Sequence, residues 1–398
     1  MRVLFTCLPG FGHFDPMVPL AQAAAAAGHD VAFATAERFC RRVIEPAGFL
    51  AFPAGLSPLV VEDQTNHLPE VATLDPDDVW AFGAHMFAQV AAPAKVGDLV
   101  RILEDWHPQL VVHDCIDFAA PIASSRVGVP WASHSFGALQ PEEFWSLSAQ
   151  LVEPTWRSWD LEPPPAGGMF QYLYLDICPP SFQAWHAGRV PVRHRMRPVP
   201  FDTPGGEGLP AWFSSLPHRP NVYVTMGTIF NDTPGVFEAV LAGLGDGPFN
   251  VIVTIGLDRD PDELGPQPPN VRIERWIPQS LIFEACEVAV CHGGSGTTLA
   301  ALSHGLPLLL LPQGANQLWN AERCVSLGAG RMLRPDGVDG AAIRQEVDRL
   351  LLIPSFRLAA LGLRREIELM PVPAQIVPLL EALARDSAPL LSDPHSAQ

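Results

Sequence analysis

Two groups of residues in this sequence have the types and spacing of working chemistry. The first is a histidine in the turn Gly10-Phe11-Gly12-His13-Phe14-Asp15-Pro16, directly after the apolar run Arg2 to Cys7. Histidine titrates near neutrality, so it can take or give a proton at working pH. The second is the turn His292-Gly293-Gly294-Ser295-Gly296-Thr297, between the apolar run Val288 to Cys291 and a helical pattern from Thr297 to His304. Glycines let backbone approach a ligand closely, and a helix opening behind them presents unpaired N–H groups and the positive end of its dipole. Such a turn suits phosphate.

Both turns need strands and helices to aim them. Around the second, Gly305 stops the helix, Pro307 to Leu311 reads as another strand, and a further helix starts near Asn316. Around the first, Arg2 to Cys7 is a strand, Leu8 to Asp15 a loop, Pro16 to Ala27 a helix with Asp15 as its cap, and Asp30 to Ala34 a second strand. These are the βαβ units of parallel, doubly wound sheets, which place ligands at the carboxyl ends of their strands. The His13 loop begins like a dinucleotide fingerprint, but Asp15 stands where the third glycine belongs, and an anion there repels pyrophosphate.

Other polar residues fall at strand ends. Asp114 closes the strand from Pro108 and is at home as the cap of a helix from Ile116 to Ser125, with a second acid, Asp117, three residues on. His113 alternates to the opposite face and reads as core. His134 and Ser135 close the strand from Gly128, Thr228 follows the strand Asn221 to Met226, and Trp276 ends the strand from Val271. Each is equally at home as a structural residue. Between Phe52 and Ala94 the periodicity is poor, with Trp80, Phe82 and Phe87 scattered among prolines.

At 398 residues the chain is long enough for two cores. Lysine and arginine total 25 against 43 acids, a net charge of −18, and Lys95 is the sole lysine. Nucleic acid and anionic membranes are therefore poor partners. Seven cysteines without a CxxC pair give no disulfide or zinc framework. No apolar run approaches the roughly 20 residues of a membrane span, and Met1-Arg2-Val3-Leu4-Phe5 enters a strand without a leader pattern, so a cytoplasmic protein is expected. Dense proline from Glu153 to Pro220 places a linker near Pro198 to Pro220. Helices are expected at Gly340 to Leu352, Ser355 to Met370 and Gln375 to Arg385, the last two separated by Pro371 and Pro373.

The ordered series Trp276-Ile277-Pro278-Gln279, His292 with its glycines, Pro312, Asn316-Gln317 and Asn320-Ala321 resembles the nucleotide-sugar signature of family 1 glycosyltransferases. It is most similar to the actinobacterial enzymes that glycosylate antibiotics, and Gly12-His13-Phe14-Asp15-Pro16 is a second match. The resemblance implies the α/β GT-B fold: two Rossmann-like doubly wound parallel-sheet domains facing a cleft, with a C-terminal helix crossing back to the first. It implies an acceptor domain over 1–210, a nucleotide-sugar domain over 211–370, and a returning helix and loose tail over 371–398.

The same resemblance implies roles. His13 is the general base and Asp114 its orienting partner. Gly12, Thr228, Trp276, Ile277, Gln279, His292, Gly294, Ser295, Gly296, Thr297, Asn316 and Gln317 bind the donor, with Trp276 stacking a pyrimidine. Phe11, Phe14, Trp80, Phe87, His134 and Ser135 face the acceptor. No metal and no cofactor beyond the nucleotide sugar is implied. Two departures bear on specificity. Ala300 stands where relatives using UDP-sugars often carry a ribose-binding glutamate, which favours dTDP, and Asn316-Gln317 replaces the usual Asp-Gln, removing charge assistance to sugar hydroxyls.

The expected activity is inverting, metal-independent transfer of a deoxygenated sugar from dTDP to an apolar natural product such as a polyketide or enediyne. A nucleotide-sugar 2-epimerase is the alternative within enzymes, and an inactive homologue serving as partner or activator is the alternative outside them. A homodimer is compatible with the sequence.

Overall fold

In the computed structural model, residues 1–75, 78–201, 208–227, 235–257 and 259–392 are described. The chain divides into two compact units: Met1–Cys178 with Gln183–Arg197 and Met370–Gln398, and Pro179–Phe182 with Pro198–Leu369. The first unit thus closes at Arg197, ahead of the boundary expected at 210.

The first unit carries a sheet of β1 (Arg2–Thr6), β2 (Asp30–Thr35), β3 (Leu50–Pro53), β4 (Leu110–Asp114), β5 (Trp131–His134), β6 (Tyr174–Asp176) and β7 (Arg193–Arg195). Their order is β3-β2-β1-β4-β5-β6-β7, and every neighbouring pair is parallel. Strands covered on both faces read as continuous apolar runs rather than alternation. Accordingly β4 is buried along its whole length. Its core joins Leu4, Val111, Phe118, Trp131, Trp156 and Tyr174.

The second unit carries β8 (Asn221–Thr225), β9 (Asn250–Thr254), β10 (Val271–Glu274), β11 (Val288–Cys291), β12 (Leu308–Leu310) and β13 (Gly330–Met332). The order is β10-β9-β8-β11-β12-β13, again parallel throughout. Valines on β8, β9 and β11 pack against Ile343 and Val347 of the helix Gly340–Leu352. In each sheet the strand order reverses between two central neighbours, β1 and β4 or β8 and β11. Open α/β sheets bind ligands at such reversals.

Several local expectations give way. Asp15 does not open the first helix. Gly10 is extended and the helical turn begins at Phe11, so Asp15 is already helical and His13 rides on that turn rather than on a loop. The segment after Phe52 is helical from Val79 to Trp106, passing through a π-helical stretch at His85–Ala91 that absorbs the irregular spacing. β6 and β7 lie in the proline-dense region, ahead of the linker expected near Pro198 to Pro220, where no strand was expected. Among the described residues, no single helix is long and apolar enough to cross a membrane.

Candidate active site

At the first reversal, His13 follows β1 and Asp114 closes β4. The register pairs Thr6 with His113, which leaves Asp114 one step beyond the last β1–β4 pair, in register with His134 of β5. His13 Nδ1 lies 2.8 Å from Asp114 Oδ2, with the imidazole 23% exposed and the carboxylate 1%. One ring nitrogen is therefore in ion-pair contact with a buried anion, although the angle between them falls short of a hydrogen bond, and a small turn of the ring would complete it. Phe136 and Phe87 meet the imidazole edge-on, with ring centres 5.0 and 6.4 Å away. They wall it with apolar surface, which strengthens its electrostatic contact.

Asp117 does not compete for His13. Its Oδ2 accepts from Thr6 Oγ1 at 2.8 Å and from Lys95 Nζ at 2.7 Å. Lys95 also donates to the Cys7 carbonyl at 2.8 Å. His113 is core as expected, with contacts to the Asp114 carbonyl and Ser133 Oγ, and burial pushes its pKa down.

Three residues expected to face an acceptor are enclosed instead. Phe14 is fully buried against Phe33 and Phe39. His134 is buried with Nδ1 on the Ser135 carbonyl, and burial lowers its pKa to about 4. Ser135 Oγ accepts the Ile177 N–H across to the strand end of β6. Strand-end polar side chains in a sheet covered on both faces are consumed by the sheet itself. Phe11, Trp80 and Phe87 keep exposed surface. Phe136, one residue past Ser135, was not singled out by sequence, because its only signal is its place just after β5.

At the second reversal His292 follows β11 and Gly227 follows β8. A Cβ at Gly227 would lie 2.6 Å from the His292 ring, and one at Gly294 would lie 2.4 Å from it. Gly227 is also at φ +77°. The imidazole is thus clamped between two backbones that only glycine allows so close. Burial lowers the His292 pKa to about 4, which keeps the ring neutral, and its Nδ1 is buried without a hydrogen-bond partner among the described residues.

Gly294 precedes the helix Ser295–Ser303, two residues earlier than the Thr297 start expected, and among the described residues no side chain caps it. The first-turn N–H groups remain for a ligand. Ser295 Oγ contacts Asn316 Nδ2 at 2.9 Å and Asn320 Nδ2 at 3.1 Å, and Asn320 also reaches the Gly293 carbonyl at 2.8 Å. Gln317 is buried, its Oε1 accepting from the Gln313 and Gly314 backbone, so it ties the loop from inside. Thr297 Oγ1 accepts from Gln279 Nε2 at 3.3 Å. Trp276 is 44% exposed, whereas Ile277 is buried. Beside Gly12 and Gly296 a Cβ would meet nothing within 4 Å. Thr228 lies outside the described residues. Among the described residues no three His, Cys, Asp or Glu side chains gather as a metal site.

Comparison with known proteins follows this geometry. The family models for the N-terminal and C-terminal domains of erythromycin biosynthesis protein CIII-like proteins match residues 22–227 and 238–383. L-demethylnoviosyl transferase of Streptomyces niveus is 34% identical over 98% of this chain and 100% of its own. Tylactone mycaminosyltransferase of Streptomyces fradiae is 30% identical over 96% and 92%. Spinosyn rhamnosyltransferase SpnG, complexed with thymidine diphosphate, superposes with a TM-score of 0.80 at 28% identity, covering 96% of this chain and all of that one. These relatives are named as transferases and give no support to a 2-epimerase. With both domain models matched in order and a parallel sheet under each, the chain belongs to the EryCIII-like, actinobacterial natural-product glycosyltransferases of the GT-B fold.

Proposed function

We propose that this glycosyltransferase moves a deoxygenated sugar from a dTDP-sugar to an apolar natural product, with inversion and without a metal ion. The observation that carries the reading is the 2.8 Å approach of His13 Nδ1 to the buried Asp114. A carboxylate there holds the proton on Nδ1 and leaves Nε2 to accept one from the acceptor. As that proton leaves, the acceptor atom bonds to the anomeric carbon and the bond to the diphosphate oxygen breaks, so a single displacement inverts the centre. Asp114 stabilises the imidazolium that forms.

Charge developing on the diphosphate is met by the N–H groups at the start of Ser295–Ser303, with His292 beside them as a neutral donor. Trp276 has the exposed face needed to stack a pyrimidine. Two observations favour the sugar and nucleotide class: Asn316 offers an amide where an acid is usual, and Ala300 leaves no carboxylate for a ribose 2′-hydroxyl. The thymidine diphosphate bound to SpnG points the same way.

The test is incubation with dTDP-sugars and a panel of polyketide aglycones in EDTA, read by mass spectrometry and by anomeric coupling in NMR. Inverted product formed with EDTA and lost in His13→Gln is expected. Retention of configuration, a requirement for magnesium, or full activity in His13→Gln would each overturn the corresponding part of the proposal.

A further inference from the structure

Lys95, the sole lysine, is buried in the first turn of the helix Ala92–Trp106, three hundredths exposed. A buried ammonium is costly unless paired and hydrogen-bonded. Here it is both, through Asp117 Oδ2 at 2.7 Å and the Cys7 carbonyl at 2.8 Å. Its aliphatic stem is roofed by Gly55, where a Cβ would lie 3.1 Å from Lys95 Cγ and φ is +77°. The Gly55 N–H is held in turn by Asp98 at 2.9 Å. Asp117 also donates its own N–H to the Asp114 carbonyl at 2.8 Å, so the two acids share one turn.

The geometry points to Lys95 as a positioning residue for the His13–Asp114 pair, acting by neutralising Asp117. This rests on the reading of His13 as base. Two carboxylates stand at this reversal: Asp114 lies 2.8 Å from His13, and Asp117 is taken up by Lys95. With Asp117 cancelled by Lys95, the pair sees one net negative charge. The same ammonium ties the end of β1 through the Cys7 carbonyl, three residues ahead of the Gly10 turn that carries His13.

The other titratable groups facing this cluster do not alter the balance near pH 7. They are Cys7 after β1, Cys40 from the turn Cys40–Ile44, His113 on β4, Cys115 beside Asp114, and His134 on β5. Burial raises the three thiols and lowers the two imidazoles, so all five stay neutral. Asp98, three residues on from Lys95, is paired with Arg101, so charge at the cluster is set by Lys95, Asp117, Asp114 and the protonation of His13.

The test is a ¹³C-histidine NMR titration of the whole protein, with the His13 signal assigned by its loss in His13→Gln. Lys95→Met leaves Asp117 uncompensated, favours the imidazolium, and moves the His13 midpoint up by roughly half to one pH unit. Asp117→Asn leaves the ammonium uncompensated and moves it down by about as much. The double variant returns it to the wild-type position. Should Lys95→Met fail to fold, as near-UV circular dichroism would reveal, Asp117→Asn and the double variant still decide the matter. An unmoved midpoint in folded Asp117→Asn, or shifts of one sign in both single variants, overturns the proposal. Midpoints that move as expected while His13→Gln still transfers sugar would leave the coupling intact and remove the base.

Discussion

At the ends of β1 and β4 the first unit gathers His13, Asp114, Asp117 and Lys95; at the ends of β8 and β11 the second gathers Gly227, His292 and Gly294. The first set is full of charge and the second is neutral. Under the proposed function, the difference follows from what each place is asked to do. A base changes charge during the reaction, so fixed charges must be ready to receive it. An anion arriving with its own charge needs close dipoles, and for that the chain strips side chains away and keeps a neutral imidazole.

Breaking the first site should have the largest effect. His13→Gln is expected to slow transfer by about a thousandfold, within the range for a lost general base, while the melting shift given by dTDP is unchanged. Loss of the dTDP shift in that variant would mean the two sites are not separable in this way.

Acid should strain both units next. His134 in the first and His292 in the second stay neutral to about pH 4, whereas an unfolded histidine protonates near 6.5. Their folded values are depressed, so the stability present above pH 6.5 is lost as pH falls toward 4. Each contributes up to about 3 kcal/mol across that window. Melts at pH 7 and pH 4.5 should show a smaller loss in His134→Asn and His292→Asn than in wild type.

Filling the second site comes third. Gly227→Ala puts a methyl into the His292 ring at a positive φ, and a cost of about 1–3 kcal/mol is expected. Calorimetry should find dTDP binding weakened at least tenfold and the His13 NMR midpoint unmoved. The smallest effect is nucleotide choice. With EDTA present, dTDP should bind a few-fold tighter than UDP, and equal affinity would remove the Ala300 argument alone.

Much of this was legible in the residues. The alternation of apolar runs and helical patterns announced two parallel sheets, and the two reversals fell at the turns that held His13 and His292. What escaped was whatever depended on neighbours distant in sequence. Asp114 and Asp117 are both buried acids on one turn, and only the position of Lys95, some twenty residues earlier, separates their roles. Phe14, His134 and Ser135 looked available because they sit at strand or helix ends, yet the sheet's second cover encloses them. β6 and β7 were hidden by prolines that flank strands too short to show a period.

The chain leaves the first unit at Arg197 and rejoins it at Met370, and the Arg197 N–H donates to the Pro371 carbonyl at 2.7 Å. Exit and return therefore run side by side through a two-stranded neck, and Pro198–Leu369 is a cassette spliced into a host. A chimera that exchanges this cassette for a relative's has that neck to match, and it meets a second pair of crossings at Cys178–Pro179 and Phe182–Gln183. Ser181 and Phe182 belong with the cassette, Ser181 bonding to Glu366 and both carbonyls accepting from Arg323. A chimera joined at 197 and 370 that carries its own Arg323 and Glu366 keeps that clasp, and one that loses them leaves the Ser181 and Phe182 carbonyls and the Ser181 hydroxyl without those partners.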